Sequence, residues 1–364
     1  MMFFSAAFSQ HSKQRNVDVV IAMDLSGSTN GLLENFRDKM WDIINQWKMF
    51  TPAPTVRIGL IGFSRFSFTD NSGYVKVISD LTDDYDMLSQ QMFEIKPYVE
   101  NGIQFVGAAI GTATTQISWS SGSDALKILY VMGNGEVNLG HFDFRARCEE
   151  AAQKGIIINT VYCMKSDKQM RQREYPGWNE IAKLTGGSCY QVLVNKRAPL
   201  VTSHINMVAL ASLNDSLNKT FIPYGKGGAE HLRRMLSADE NASKVFEAYF
   251  YSRMRYKFSP HYQAQQLAWD IVSYKEAYPE SRLAAIRNSQ KNKQDIAIDL
   301  ETLANTSIER RNAIVSTIKT YFPEGEEDRI HNELSSDDYE LENRLDKTMI
   351  ASFYQILTAA GYTH

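Results

Sequence analysis

One stretch, Val17–Trp47, restricts the fold more than any other part of the sequence. Val17, Val19, Val20 and Ile21 form a β-branched apolar run that ends in Asp24-Leu25-Ser26-Gly27-Ser28. Directly after it, Leu33, Phe36, Met40, Ile43, Ile44 and Trp47 recur mostly at three- and four-residue steps, which places them on one helix face. A continuous apolar strand that turns straight into an amphipathic helix is how a parallel α/β sheet begins. The turn falls at the strand's carboxyl end, where open α/β sheets place their ligands. It holds one carboxylate and two hydroxyls on alternate residues, hard oxygen donors suited to Mg²⁺ or a similar cation.

The same alternation of elements continues. Pro52 and Pro54 break the helix, and Val56–Phe63 reads as a second buried strand. Tyr74–Ile78 alternates and reads as an edge strand, open to antiparallel pairing. Asp83 and Asp84 sit where acidic residues favour a helix start, ahead of Met87, Leu88, Met92 and Ile95. Gly102–Ser118 reads as a helix with Val106, Ile110, Ala113 and Ile117 inward. Lys127–Met132 is a third apolar strand, closed by Gly133-Asn134-Gly135-Glu136. Helix Phe142–Lys154, strand Gly155–Cys163, helix Tyr175–Thr185 and strand Ser188–Leu193 complete the run. Strands alternating with helices over this length predict a doubly wound, mostly parallel α/β sheet.

Asp24-Leu25-Ser26-Gly27-Ser28, between its strand and its helix, resembles the start of the metal-ion-dependent adhesion site of von Willebrand factor A-type domains, which include the integrin inserted domains. The order and spacing of elements are similar to that family across Val17–Val194. The resemblance implies a Rossmann-like fold, Mg²⁺ or another divalent cation at the top of the sheet, and a protein partner. In the family, side chains from three loops surround the cation. Asp24, Ser26 and Ser28 match the first loop by identity. Gln104 stands where the second loop normally gives a threonine, and Asn134 where the third normally gives an aspartate.

Both departures keep a carbonyl oxygen, but two carboxylates become one. Mg²⁺ gives up its water reluctantly, so binding weaker than in a complete site is expected. A cation held there keeps more net positive charge, which favours a carboxylate supplied by the partner. The opposite outcome is a degenerate site whose polar groups hydrogen-bond one another. A purely structural alternative is that Ser28 or Thr29 caps the helix and Asp24 offsets its positive end. Glu136 is expected to start the next loop.

With 364 residues and 43% hydrophobic content, the chain can bury a core and has room for two domains. A net charge of −3 and the lack of a basic stripe argue against nucleic acid, and no apolar run spans a bilayer. Residues 1–15 read as the remnant of an export signal, with Ala7-x-Ser9 suited to cleavage before Gln10; the expected location is periplasmic or extracellular, with the cytoplasm as the alternative. Three cysteines without regular spacing make neither a disulfide framework nor a zinc site. Cys163 should end one strand and Cys189 begin the next, at opposite ends of the sheet.

The composition changes near Asn195–Thr202. The expected division is an A-type domain over 16–198 and a helical domain over 199–364. Helical patterns cover His204–Leu217, Ala229–Tyr256, His261–Tyr278, Ile296–Phe322 and Tyr339–Ala360, with Pro260, Pro279 and Pro323 between them. Thr220–Gly225 is extended, because Pro223 forces residue 222 out of helix. The stretches LNDSLNKTFIPYG and WDIVSYKE are similar to a helical segment that follows the A domain in some bacterial proteins, which implies architecture and a bacterial source, not activity. The acidic run Glu324–Asp346 reads as a solvated face.

The histidines are dispersed, and neither a G-x-S-x-G elbow nor a phosphate loop is present. The expectation is therefore a non-enzymatic protein-binding, adhesion or assembly module with metal ligands Asp24, Ser26, Ser28, Gln104 and Asn134. Two other classes stand beside it: a cytoplasmic accessory subunit of an ATPase-driven complex, and a hydrolase using the metal as a Lewis acid.

Overall fold

A computed structural model of the chain describes residues 16–96, 102–122, 124–166, 173–195, 205–245, 247–281, 283, 300–322, 325 and 343–363. The expected export-signal remnant, the acids of the Glu324–Asp346 run up to Glu342 and the proposed domain boundary at 198/199 lie outside them; Asp346, at the end of that run, is buried and paired with Arg344 rather than solvated.

Six strands form one sheet: β1 (Asn16–Asp24), β2 (Thr55–Phe63), β3 (Val75–Thr82), β4 (Leu126–Gly133), β5 (Ile156–Met164) and β6 (Cys189–Leu193), in the order β3-β2-β1-β4-β5-β6. All neighbours pair in parallel except β3, an antiparallel edge strand beside β2. The apolar run of β1 is buried on both sides of the sheet. Val17, Val19, Ile21 and Met23 face one layer, and Val20 and Ala22 the other, the period-two alternation of a strand sandwiched between helices.

On the Val20 side lie α3 (Val106–Gln116), α4 (Phe144–Gln153) and α5 (Tyr175–Leu184). On the other side lie α1 (Leu32–Trp47) and α2 (Tyr85–Glu94). Asp84 caps α2 by accepting from the Met87 amide, at the helix start expected from its acidic residues. The helix expected from Gly102 starts only at Val106; residues 102–105 form a loop, the segment that carries Gln104. The crossover helices of β4, β5 and β6 all fall on the Val20 side. The α1 face of those strands is therefore bare until the last helix, α12 (Leu345–Ala359), returns to it. There Tyr130 of β4 shares a hydrogen bond of 3.0 Å with Ser352, and Phe353 stacks on Trp47 at 4.4 Å.

Between β6 and α12 come α6 (Met207–Asn218), α7 (Gly228–Val245), α8 (Glu247–Lys257), α9 (Pro260–Gln266), α10 (Ile271–Ala277) and α11 (Leu300–Lys319). Two long helical patterns are thus each divided. The second breaks because Asp270 caps α10 on the Ser273 amide. The extended segment around Pro223 does lie along a neighbour: Ile222 donates to Asp270 Oδ1 and its carbonyl accepts from the Ile271 amide. One continuous apolar core runs from Val17–Met23 through α1 to Leu210, Met235, Tyr249, Met254 and Phe353.

Candidate functional site

The cup expected at the top of the sheet is assembled. β1 ends at Asp24, and a single 3-10 turn, Gly27–Thr29, separates the strand from α1. Neither Ser28 nor Thr29 caps α1; its N-cap is Gly31, in the left-handed region at φ 102° with no side-chain cap. Thr29 holds the turn instead, donating its hydroxyl to the carbonyls of Asp24 (2.8 Å) and Ser26 (3.1 Å). The serine hydroxyls are left for the cup.

All five expected residues meet there. The Ser26 and Ser28 hydroxyls lie 2.9 Å apart. Ser28 donates to Asn134 Oδ1 at 2.8 Å, and Gln104 Nε2 donates to Ser28 Oγ at 3.1 Å and Ser26 Oγ at 3.3 Å. Asn134 is anchored through its Nδ2 to the carbonyls of Ser28 and Cys163, both at 3.3 Å. Gly135 has φ 86°, and a Cβ there would stand 3.1 Å from Gln104 Oε1, so glycine admits the second loop beside the third. Ser28 is exposed and Ser26 buried, which orients the cup from solvent downward.

Asp24 forms the floor. It is 1% exposed, and its Oδ1 accepts from the Ser26 amide at 2.9 Å. Its Oδ2 is buried with no hydrogen-bond partner. Burial pushes its pKa up to about 6, against the pull of the Ser26 amide and hydroxyl and, more weakly, of the nearby Ser64 hydroxyl and Asn134 amide. A buried carboxylate oxygen without a partner is costly unless something else completes it. Hydroxyls, amide carbonyls and one carboxylate, with no nitrogen or sulfur ligand in the set, fit a hard divalent cation such as Mg²⁺ or Mn²⁺. Among the described residues no group of three or more His, Cys, Asp or Glu gathers as a metal site, and the cup itself holds a single carboxylate.

Further side chains stand beside the five of the cup. A cleft of about 390 Å³ opens between Ser28, Gln104, Asn134, Tyr162, Lys165 and Glu174. Lys165 follows β5 and donates to the Gly27 carbonyl at 3.2 Å; its place just past a parallel strand next to β4 was the available signal. Glu174 accepts from Tyr162 Oη (2.8 Å) and the Gly135 amide (3.1 Å), bracing the third loop. Nothing local in the sequence marks that role. Glu136 turns to Arg173 at 2.8 Å, as a residue beginning the next loop would. Arg65, buried behind the first loop, donates Nε to the Leu25 carbonyl at 3.1 Å. The cysteines are free; Cys163 and Cys189 lie at opposite ends of their strands, with both thiol pKa values pushed up by burial.

Residues 18–184 match the family model of the von Willebrand factor type A domain. No match was found among curated proteins. Among solved structures, the chain is similar to an aerotolerance-related membrane protein from Bacteroides fragilis at 19% identity, over 49% of this chain and 92% of that one, with a TM-score of 0.34. It is similar to the SpRpn10 VWA domain at 13% identity, over 49% and 88%, with a TM-score of 0.37. It is also similar to proximal thread matrix protein 1 from the mussel byssus, described with a zinc-occupied MIDAS motif, at 14% identity and a TM-score of 0.37. That likeness covers 49% of this chain and 42% of the mussel protein.

Proposed function

We propose that this chain, whose residues 18–184 match the von Willebrand factor type A family model, is a non-enzymatic protein-binding module that receives an acidic residue of its partner through a divalent cation in the cup. The observation that carries the reading is the buried, unpartnered Oδ2 of Asp24 beneath four oxygen-bearing side chains. Asp24, Ser26, Ser28 and Asn134 would hold the cation. Gln104 would join them after its amide turns over to present oxygen. The cation supplies positive charge that a single carboxylate does not cancel, and the exposed rim at Ser28 gives a partner's carboxylate access to it.

A second reading has its own support. The hydroxyls and amides already satisfy one another, so the cup can also work as a metal-free polar surface. Affinity capture from the native source separates the two. Under the cation reading, a partner is retained by the full chain, released by EDTA and lost with Asp24→Ala. Retention that ignores both EDTA and Asp24→Ala leaves the metal-free surface.

A further inference from the structure

Beside the cup the structure exposes a shelf of apolar rings. Phe66 is 51% and Ile103 37% exposed. Phe66 meets only the edge of Tyr74 among the ring contacts described, at 5.3 Å. Tyr74 lies 5.6 Å from Phe105, which lies 5.7 Å from Phe142 and 6.5 Å from His141. Ile103 and Phe105 flank Gln104, whose amide bonds both cup serines. Shelf and cup therefore share one loop and one face of the domain.

The shelf is held in a strained form. Among the described residues, four non-glycine positions have left-handed φ, and three of them, Ser64 (71°), Thr69 (65°) and Tyr74 (57°), lie in the connection from β2 to β3 that carries Phe66. A bulky residue such as Tyr74 adopts that conformation only when its surroundings impose it. The neighbouring loop presses close: a Cβ on Gly102 would stand 1.8 Å from the Ser64 carbonyl oxygen. A rigid, pre-ordered, half-exposed aromatic cluster has the properties of an interface anchor, since little side-chain freedom is lost when it is covered.

The charge beside it restricts the occupant. Among the described charged side chains of the cup cleft, Lys165 is exposed, with its ammonium on the Gly27 carbonyl, whereas the carboxylate of Glu174 is buried on Tyr162 and Gly135. We infer that the shelf Phe66–Tyr74–Ile103–Phe105 seats a large apolar or aromatic side chain of a protein partner whose nearby Asp or Glu enters the cup. This inference rests on the proposed function above.

The test uses a random peptide library displayed on phage, panned on the full chain with Mn²⁺ present. Enriched peptides should pair Asp or Glu with a nearby Phe, Trp, Tyr, Leu or Ile. Synthetic copies should bind Phe66→Ser or Ile103→Ser at least about tenfold more weakly, with the thermal midpoint of each variant unchanged. Peptides that are acidic but bind both variants normally would overturn the shelf and leave the cup. Peptides weakened by Phe66→Ser but indifferent to EDTA and to Asp24→Ala would keep the shelf and remove the cation. Failure to enrich any peptide, or self-association of the chain that Phe66→Ser abolishes, would refute the proposal, the latter by assigning the shelf to a second copy.

Discussion

A carboxylate that is 1% exposed, with one oxygen lacking a hydrogen bond, burdens the fold that holds it. Asp24 is that group. Its folded pKa of about 6 stands above its ordinary 3.8, mainly because of burial. The folded chain therefore holds the proton more tightly than the unfolded chain between those values. From this group alone, stability is greatest below about pH 4, falls as pH rises through 6, and stays low above it, by on the order of 3 kcal/mol. Asp24→Asn removes the charge and keeps the shape. In EDTA at pH 7.5 it should stabilise the chain by roughly 1–3 kcal/mol in urea unfolding, and the gain should shrink towards pH 4. A loss of stability at pH 7.5 would mean that the carboxylate serves the fold and not a ligand. Asp24, Ser26 and Ser28 were legible because a strand end, a turn and a helix start fixed their places within five residues. Gln104 and Asn134 were found only by the resemblance. Lys165 and Glu174 could not be placed, because their neighbours come from β4 and the turn after β1.

Among elements, α1 shows what periodicity tells and what it hides. Its six spaced apolar residues are all buried, as expected, but so are Trp41 and Asn45 on a second side. The reason is α8, which covers that side: Trp41 stacks on Tyr256 at 4.9 Å, and Asn45 donates to the Ser252 carbonyl at 3.0 Å. A helix packed against sheet and helices at once reads as amphipathic only while its second cover is unknown. The junction is charged. Arg253 of α8, with no exposed surface, reaches Asp86 of α2 at 2.7 Å and Asp239 of α7 at 2.9 Å, and lies 4.6 Å from the Trp41 ring. Lys257 joins Asp239 at 2.8 Å. Burial works to raise the Asp239 pKa, and Lys257 and Arg253 overcome it and hold it low. Removing one member of such a network strands the others without water. Arg253→Ala should cost about 3–5 kcal/mol in urea unfolding, whereas Glu240→Ala, at an exposed pair with Lys244, should cost less than about 1 kcal/mol. Equal costs would show that the buried network is not what joins α8 to α2 and α7.

For the whole molecule, the winding order explains why the end of the chain matters to its beginning. Every crossover after β4 falls on the Val20 side, so α12 must return to cover Tyr130, Met132 and Val192. The six strands, the mostly parallel sheet and the edge place of β3 followed from local runs and were legible, whereas the order β3-β2-β1-β4-β5-β6 was not, because local runs do not say which strands pair. The return of α12 was not, since it joins residues more than 200 apart, as in the contact of Tyr130 with Ser352. The intervening helices, Met207–Lys319, pack on the same core through α7 and α8. Among the described residues, the hydrogen bonds of the cup join side chains that all come from residues 18–184, the span that matches the von Willebrand factor type A family model. The most direct measurement is therefore a Mn²⁺ titration of the full chain, read by calorimetry and by the electron spin resonance of free Mn²⁺. One ion per chain is expected at pH 7.5, with affinity falling as pH drops through about 6, where Asp24 takes up its proton, and no binding in Asp24→Ala. Absence of binding in the unmodified chain, or binding that Asp24→Ala leaves intact, would contradict the cation-holding cup.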